Sequence, residues 1–390
     1  MLQKPDGTFT AAASDIDKLL QEAWFPIFRM YAGKPEPTWE SFEARFGQHI
    51  PACAPMADSA LTVAKLRATL RRMRSSSAAG PDGWAVAELR ALPDCILQRL
   101  GYLLELVENS ETWPHGMTDA TVSLISKGEG AKPECLRPIS VMSAVYRLWA
   151  ATRVRDVLVW QETWLRESAH GFRPGHGPED IWWKLGVSVE HALLAGDCLQ
   201  GVSLDYSKCF DRAPHSIVLE LATQLGMSQR VLRPLRGIHA QLQRRFKMAG
   251  CIGSVFQSTN GILQGCPLSI VLINMLINVR ALSVRAEVPG VVPHSFADDT
   301  GATAKGTHTL QRVLSLTGEF AHITGQYLNR ARSKGWSTAQ GRPVAHADLF
   351  IENAGLVPVT QHKCLGVQLR FQKNEKPCWG GAVALRLWQD

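Results

Sequence analysis

Three carboxylates carry the chemistry this sequence advertises. Asp298 and Asp299 stand side by side in Phe296-Ala297-Asp298-Asp299, at the tip of a predicted β-hairpin that enters along Val291–Phe296 and leaves along Thr300–Ala304. Adjacent carboxylates on a tight turn repel each other unless a cation or a basic group neutralises them. Asp205 ends a second strand-like run, Gly201-Val202-Ser203-Leu204-Asp205. Acids delivered by the ends of separate strands can hold Mg²⁺ together with the phosphates of a nucleotide. Taken singly, an Ala-Asp-Asp turn is ordinarily a solvated acid pair, and an Asp at a strand end ordinarily caps the next helix. Taken together they point to two-metal nucleotidyl transfer.

Two further runs sharpen that reading. Phe210 follows Asp205 by five residues in Leu204-Asp205-Tyr206-Ser207-Lys208-Cys209-Phe210-Asp211. A ring there can pack under a nucleotide sugar and exclude a 2′-hydroxyl, or it can be a core residue opening the next helix. Gly261-Ile262-Leu263-Gln264-Gly265-Cys266-Pro267-Leu268-Ser269 combines a glycine that lets backbone approach a flat ligand with a proline suited to a helix start. Gln264 offers an amide to a base or a template sugar; a plain loop-to-helix junction has the same composition.

The elements that must position these residues read as follows. A helix from Leu61 repeats Val63, Leu66, Leu70 and Met73, and another follows Pro93. Ala120–Ser126 and Cys135–Ile139 form a hairpin tipped with basic residues, followed by a long helix from Ser140 to Trp164 and another over Pro178–Leu194. Arg245–Met248 with Ser254–Gln257 reads as a second hairpin, and Pro267–Ala286 as a buried helix, since Asn274, Asn278 and Arg280 argue against a membrane span. Leu310–Ile323 is helical, and strands follow at Lys334–Thr338, Leu349–Glu352 and Lys363–Leu369. Residues 1–60 are Pro-rich with several aromatics and receive no assignment. The order predicts an α+β fold, an antiparallel sheet backed by helices.

Bulk properties agree. With 390 residues, 45% hydrophobic and 20% charged, the chain can bury a sizeable core, which excludes wholesale disorder. Its net charge of +7 suits a polyanion partner without requiring one. Basic residues cluster at Lys65–Arg67, Arg71–Arg74, Arg230–Arg236 and Arg244–Lys247, each equally readable as a solvated helix or strand face. The nine cysteines show no C-x-x-C and no paired Cys/His spacing, so they indicate neither zinc nor a disulfide framework. The N-terminus has no secretory h-region, and an intracellular setting in nucleus or cytoplasm is expected.

Phe-Ala-Asp-Asp, Leu-Asp-Tyr-Ser-Lys-Cys-Phe-Asp and Leu-Gln-Gly-Cys-Pro-Leu-Ser resemble the palm motifs of reverse transcriptases, most closely the non-LTR (LINE-type) retrotransposon class. Flanking runs are similar to that family's as well: Ala79-Gly-Pro-Asp-Gly-Trp84, Leu136-Arg-Pro-Ile-Ser140 with Tyr146-Arg147, His170-Gly-Phe-Arg-Pro-Gly175 and Lys363-Cys-Leu-Gly-Val367. The resemblance implies a right-hand polymerase: an unassigned extension at 1–60, fingers at 61–200, palm at 201–370 and a residual thumb start at 371–390. A thumb largely absent reads as a truncated copy. It implies an RNA-directed DNA polymerase, working on an RNA template, a DNA primer or target and dNTPs, with no membrane. An RNA-directed RNA polymerase and a catalytically weak or inactive RNA-binding remnant are the alternatives.

The same resemblance implies roles. Asp205, Asp298 and Asp299 would hold two Mg²⁺ ions, with Mn²⁺ as a substitute. Lys127, Arg137, Tyr206, Phe210, Gln264, Gly265 and Lys334 would contact the nucleotide, with Phe210 as sugar gate. Gly171, Phe172, Arg173, Leu365 and Gly366 would contact template or primer. Three positions depart from the family pattern. Arg332 stands where the family has a lysine, with Lys334 two residues on; Ile270 replaces a proline, and Cys364 a tyrosine.

Overall fold

The structure, a computed structural model, describes residues 1–128, 130–248, 250–339, 349–351, 354–372 and 379–380. It is an α+β chain in two compact units, each assembled from separated stretches of sequence. The first takes in residues 1–38, 52–164 and 210–272; the second takes in 39–51, 165–209 and 273–390. The range 61–200 read as fingers is therefore divided between units after Trp164. Of 371–390, only residues 371, 372, 379 and 380 lie among those described, and Glu352 of the expected strand Leu349–Glu352 lies outside them.

In the first unit, strand Asp119–Ser126 lies between Leu136–Met142, its antiparallel neighbour, and Gln243–Met248, its parallel one. Alternation puts Val122, Leu136 and Phe246 on the buried face. Onto that face packs helix Ala13–Phe28, whose Ile16, Leu20, Trp24 and Phe28 recur at helical spacing and are buried. The N-terminal segment left unassigned in the sequence thus supplies one wall of a core. Long helix Ala144–Gln161 is anchored by Arg153, which is fully buried and donates to both Glu108 oxygens, at 2.7 and 2.6 Å. A buried pair of this kind is costly to break from one side, because the surviving charge is left without a partner.

The return of the second expected hairpin is shorter than the sequence indicated. On the side away from Asp119–Ser126, Gln243–Met248 pairs with Cys251–Ile252, and Phe256 then bridges back to Arg244. Val255 is 49% exposed whereas Phe256 is buried against Phe246 and Phe28. Burial of that one ring, rather than a continuous ladder, fixes the segment.

The second unit is built on a five-stranded sheet ordered Val357–Pro358, Lys334–Ser337, Gln200–Leu204, Asp299–Ala304, Val292–Phe296. The inner pairings are antiparallel, and the short edge strand Val357–Pro358 is parallel to its neighbour. Helix Pro178–Ala195 packs Leu185 and Val189 against Trp336, Leu369 and Phe371. Helix Thr307–Ile323 meets the segment 39–51 through Phe320, which contacts Phe42 and Phe46, while Arg45 clamps Glu287 and Glu319.

Among the described residues one helix, Ser269–Glu287, is long and apolar enough to cross a membrane. Three polar side chains along its middle are buried and engaged with protein. Asn274 donates to the Gly171 carbonyl, Asn278 accepts from the Arg166 amide, and Arg280 donates to Thr317 Oγ1. These are the marks of a core helix.

Candidate active site

The acidic residues come together through the register of three strand segments. Leu204, the last residue of its strand, pairs with Thr300, and Phe296 pairs with Asp299 across the hairpin turn. Asp205 therefore leaves its strand where Asp299 begins the neighbouring one, and Asp298 occupies the two-residue turn beside them. Asp205 is fixed through its backbone, the amide accepted by Ser333 Oγ and the carbonyl taken by the Asn329 amide. Asp205 and Asp299 line a cleft of about 370 Å³, together with Ser203, His294, Arg332, Lys334, His362, Lys363, Cys364 and Leu365.

Electrostatics within the cleft register this crowding. The Asp299 carboxyl is pushed up to about 6, mainly because protein surrounds it and secondarily because Asp298 and Asp205 repel its charge. The residue is nevertheless exposed, and solvent screens both effects. The Cys364 thiol is pushed up to about 11 by burial and then by Asp299, and His294 is pushed down to about 4 by burial, then Arg280 and His170. Three converging carboxylates with oxygen donors and no thiolate among them are a donor set for a hard divalent cation. Asp205, Asp298 and Asp299 would hold it, and bound charge would relieve the repulsion that raises Asp299.

The turn carrying Asp298 is braced from one side. Ala297, its first residue, has φ 52°, a conformation that costs a non-glycine residue on the order of 1–3 kcal/mol. Ser168 and His170 hold the hairpin through Ser295, at 2.7 and 2.9 Å. Gly171 presses on the turn so closely that a Cβ there would lie 2.2 Å from the Ala297 nitrogen. Phe172, half-exposed and also at positive φ, sets its ring 5.8 Å from that of Phe296. Arg173 turns back to the carbonyls of Arg166 and Ala169. In the structure, then, Gly171 and Phe172 touch the acidic turn itself.

Lys363–Leu369, expected as one strand, is a hairpin: Gln361–Cys364 pairs with Val367–Arg370 around Leu365-Gly366. Both turn residues have positive φ, 48° and 93°, as a two-residue hairpin turn of the mirror-image type requires. Leu365 at this turn lines the acidic cleft. Lys334 and Arg332 line it as well, and the Lys334 ammonium donates to the Ala331 carbonyl at 2.6 Å. Tyr206 is buried beyond Asp205, bridging Leu328, and burial pushes its phenol up to about 12.

The remaining residues singled out in the sequence belong to the first unit. Ile125 pairs with Arg137, so Arg137 and Lys127, two residues on from Ile125, project from one face of the hairpin, and both are exposed. Phe210 is half-buried, with its carbonyl held by the Ile262 amide. Gln264 donates from its side chain to Asp211 and accepts from the Ser140 amide at its carbonyl, at 2.7 and 2.8 Å. Gly265, at φ 116°, lies against the Ser140 carbonyl, where a Cβ would come within 2.6 Å. Among the basic clusters, Arg67, Arg236 and Arg245 are engaged by Asp94, Glu220 and Asp119, whereas Arg71, Arg72 and Arg74 are exposed.

Sequence reasoning missed His294, His362 and Lys363 as cleft residues. His294 carries a signal in hindsight, since it precedes Phe296 by two on an alternating strand and faces Gly301 across the hairpin. His362 and Lys363 became legible only once the hairpin at Leu365-Gly366 was known.

Comparison with known proteins places this chain in a family. A family model described as reverse transcriptase (RNA-dependent DNA polymerase) matches residues 125–369, more than half of the sequence, and the chain belongs to that family. The Pol polyprotein from type-2 retrotransposable element R2DM of Drosophila melanogaster is 27% identical over 319 residues, covering 79% of this chain and 29% of that protein. The RNA-directed DNA polymerase from mobile element jockey, also of Drosophila melanogaster, is 24% identical, covering 81% of this chain and 35% of that one. The chain thus spans about a third of these relatives' length. The LINE-type resemblance drawn from the motifs is borne out by these matches. Among solved structures, apo telomerase from Candida tropicalis, truncated from its C-terminal domain, is similar with a TM-score of 0.46 and 14% identity, over 72% of this chain and 59% of that one.

Proposed function

We propose that this chain adds deoxynucleotides to a primer 3′ end on an RNA template, with Asp205, Asp298 and Asp299 holding two Mg²⁺ ions. The observation that carries the reading is the register Leu204↔Thr300, which brings acids from separate strands to one cleft. Metal bound there lowers the pKa of the primer hydroxyl and stabilises the in-line displacement. The protein's own part is positioning and charge, the usual division of labour in phosphoryl transfer.

Arg332, Lys334 and Lys363, on the cleft wall, attract and orient a triphosphate. Lys334 can give a proton to departing pyrophosphate, which the Arg332 guanidinium, always protonated in proteins, does not. Lys127 and Arg137, together on one hairpin face, are further triphosphate contacts, and the Tyr206 backbone is another. Gln264 and Gly265 position the templating pair. Leu365 and Gly366 meet the primer, with Gly171, Phe172 and Arg173 contacting template or primer beside the turn that Gly171 and Phe172 touch. Residues 61–200 and 201–370 would supply fingers and palm surfaces, and the DNA primer would be a target end in the nucleus or cytoplasm.

Phe210 is the proposed sugar gate, and it separates this reading from RNA-directed RNA synthesis. Phe210→Ala is expected to raise ribonucleotide incorporation at least about tenfold relative to dNTPs, since a missing ring leaves room for the 2′-hydroxyl. The test offers the purified chain a primed RNA, dNTPs or rNTPs, and Mg²⁺ or chelator. Chelator-sensitive dNTP incorporation is expected; incorporation of rNTPs alone, or of neither, would contradict the proposal.

A further inference from the structure

Beside the bracing loop lies a second cluster of metal-ligating side chains, separate from the three acids. His170 Nδ1 lies 3.2 Å from His176 Nδ1, His176 Nδ1 lies 3.1 Å from Asp180 Oδ2, and His170 Nδ1 lies 3.7 Å from the same oxygen. Donors bound at about 2.0–2.1 Å to a tetrahedral zinc ion are about 3.3–3.4 Å apart, so these three atoms already mark one face of such a tetrahedron. We propose that His170, His176 and Asp180 bind one Zn²⁺ ion, tying the loop that braces the acidic turn to the first turn of helix Pro178–Ala195.

The contact pattern favours a metal over hydrogen bonds alone. Three lone-pair atoms converge, and a single imidazole N–H can be directed at only one of them with good geometry. Asp180 Oδ2 additionally accepts from the Gly177 amide at 3.0 Å, which orients the carboxylate as hydrogen bonds to ligating groups do. His170 is almost fully buried whereas His176 and Asp180 are about one-third exposed, so the fourth coordination place faces solvent. Lys184 and Arg173 oppose a cation here, since both are close enough to disfavour charge on His170. Asp180 offsets one of those charges, and a soft-to-borderline ion with two imidazoles is favoured over Mg²⁺.

The consequence is mechanical. His170 and Gly171 are consecutive, and Gly171 abuts the Ala297 nitrogen. An ion on His170 therefore stiffens the support of the turn that carries Asp298.

The test uses the full chain, freed of metal, with its thiols alkylated and excess Mg²⁺ present. Calorimetric titration with Zn²⁺ is expected to show one equivalent bound, accompanied by a rise in melting temperature. Co²⁺ in its place is expected to give the intense visible band of four-coordinate geometry. His176→Ala, at a partly exposed position, and Asp180→Asn, which keeps an acceptor for the Gly177 amide, are each expected to weaken binding at least about tenfold. Asp298→Asn is expected to bind as the wild type does. Wild-type affinity in His176→Ala and Asp180→Asn, no saturable site in the unaltered chain, or loss of the site in Asp298→Asn would each overturn the proposal.

Discussion

At the scale of single residues, Asp299 is the most informative side chain, because its environment opposes its charge. Its folded pKa of about 6 lies above the ordinary carboxylate value of 3.8. The folded state therefore holds a proton the unfolded chain releases, and stability from this group is present below about pH 4 and lost as pH rises through about 6. Metal-free wild type and Asp299→Asn are expected to match near pH 4. By pH 7.5 the variant is expected to be more stable by about 1 kcal/mol, a figure reduced for solvent screening. Urea midpoints at the two pH values measure this, and saturating Mg²⁺ at pH 7.5 should erase the gap. A gap that is independent of pH would show that the rise has another origin. The three acids were legible in the sequence because they stand together at the ends of separate strand-like runs, whereas the acid pair or Asp205 alone would read as an ordinary turn or cap. His294, His362 and Lys363 were not, since their place in the cleft depends on neighbours from distant strands.

At the scale of elements, the bracing loop and the acidic hairpin behave as one object. Gly171 meets backbone rather than a flexible side chain, so Gly171→Ala cannot be absorbed without moving Ala297. The expected cost is about 1–3 kcal/mol of stability, with a disproportionate loss of primer extension because the moved residue adjoins Asp298. Thermal melts and extension assays on the same preparation check both; an alanine variant equal to wild type in each would remove the bracing role. Strand alternation and cap residues made most elements readable. The hairpin at Leu365-Gly366 was hidden because leucine is a poor marker for a positive-φ turn, where Asn, Asp or Gly is usual. The pairing of Phe256 with Arg244 was shifted because one buried ring, rather than periodicity, sets it.

At the scale of the whole molecule, sequence order and spatial order part company. Residues 13–28 received no assignment in the sequence because Val122, Phe246 and Phe256, against which Trp24 and Phe28 pack, lie about ninety to more than two hundred residues away. Trp24→Ala is accordingly expected to cost about 3–5 kcal/mol, the range for emptying a large buried site. Chemical denaturation measures it, and a cost under about 1 kcal/mol would mean the N-terminal helix is peripheral. The α+β class was readable from element order, whereas the interleaving of two units was not, since no composition shift marks Trp164 or Phe210. The proposed function rests on the meeting of acids from separate strands. Single-turnover extension of a primer on poly(rA)/oligo(dT) with Mg²⁺, comparing wild type with Asp205→Asn and Asp298→Asn, tests this most directly. Wild type is expected to extend the primer, and each variant to lose about a hundredfold or more with template affinity unchanged. Extension by either variant at the wild-type rate would contradict the proposed function.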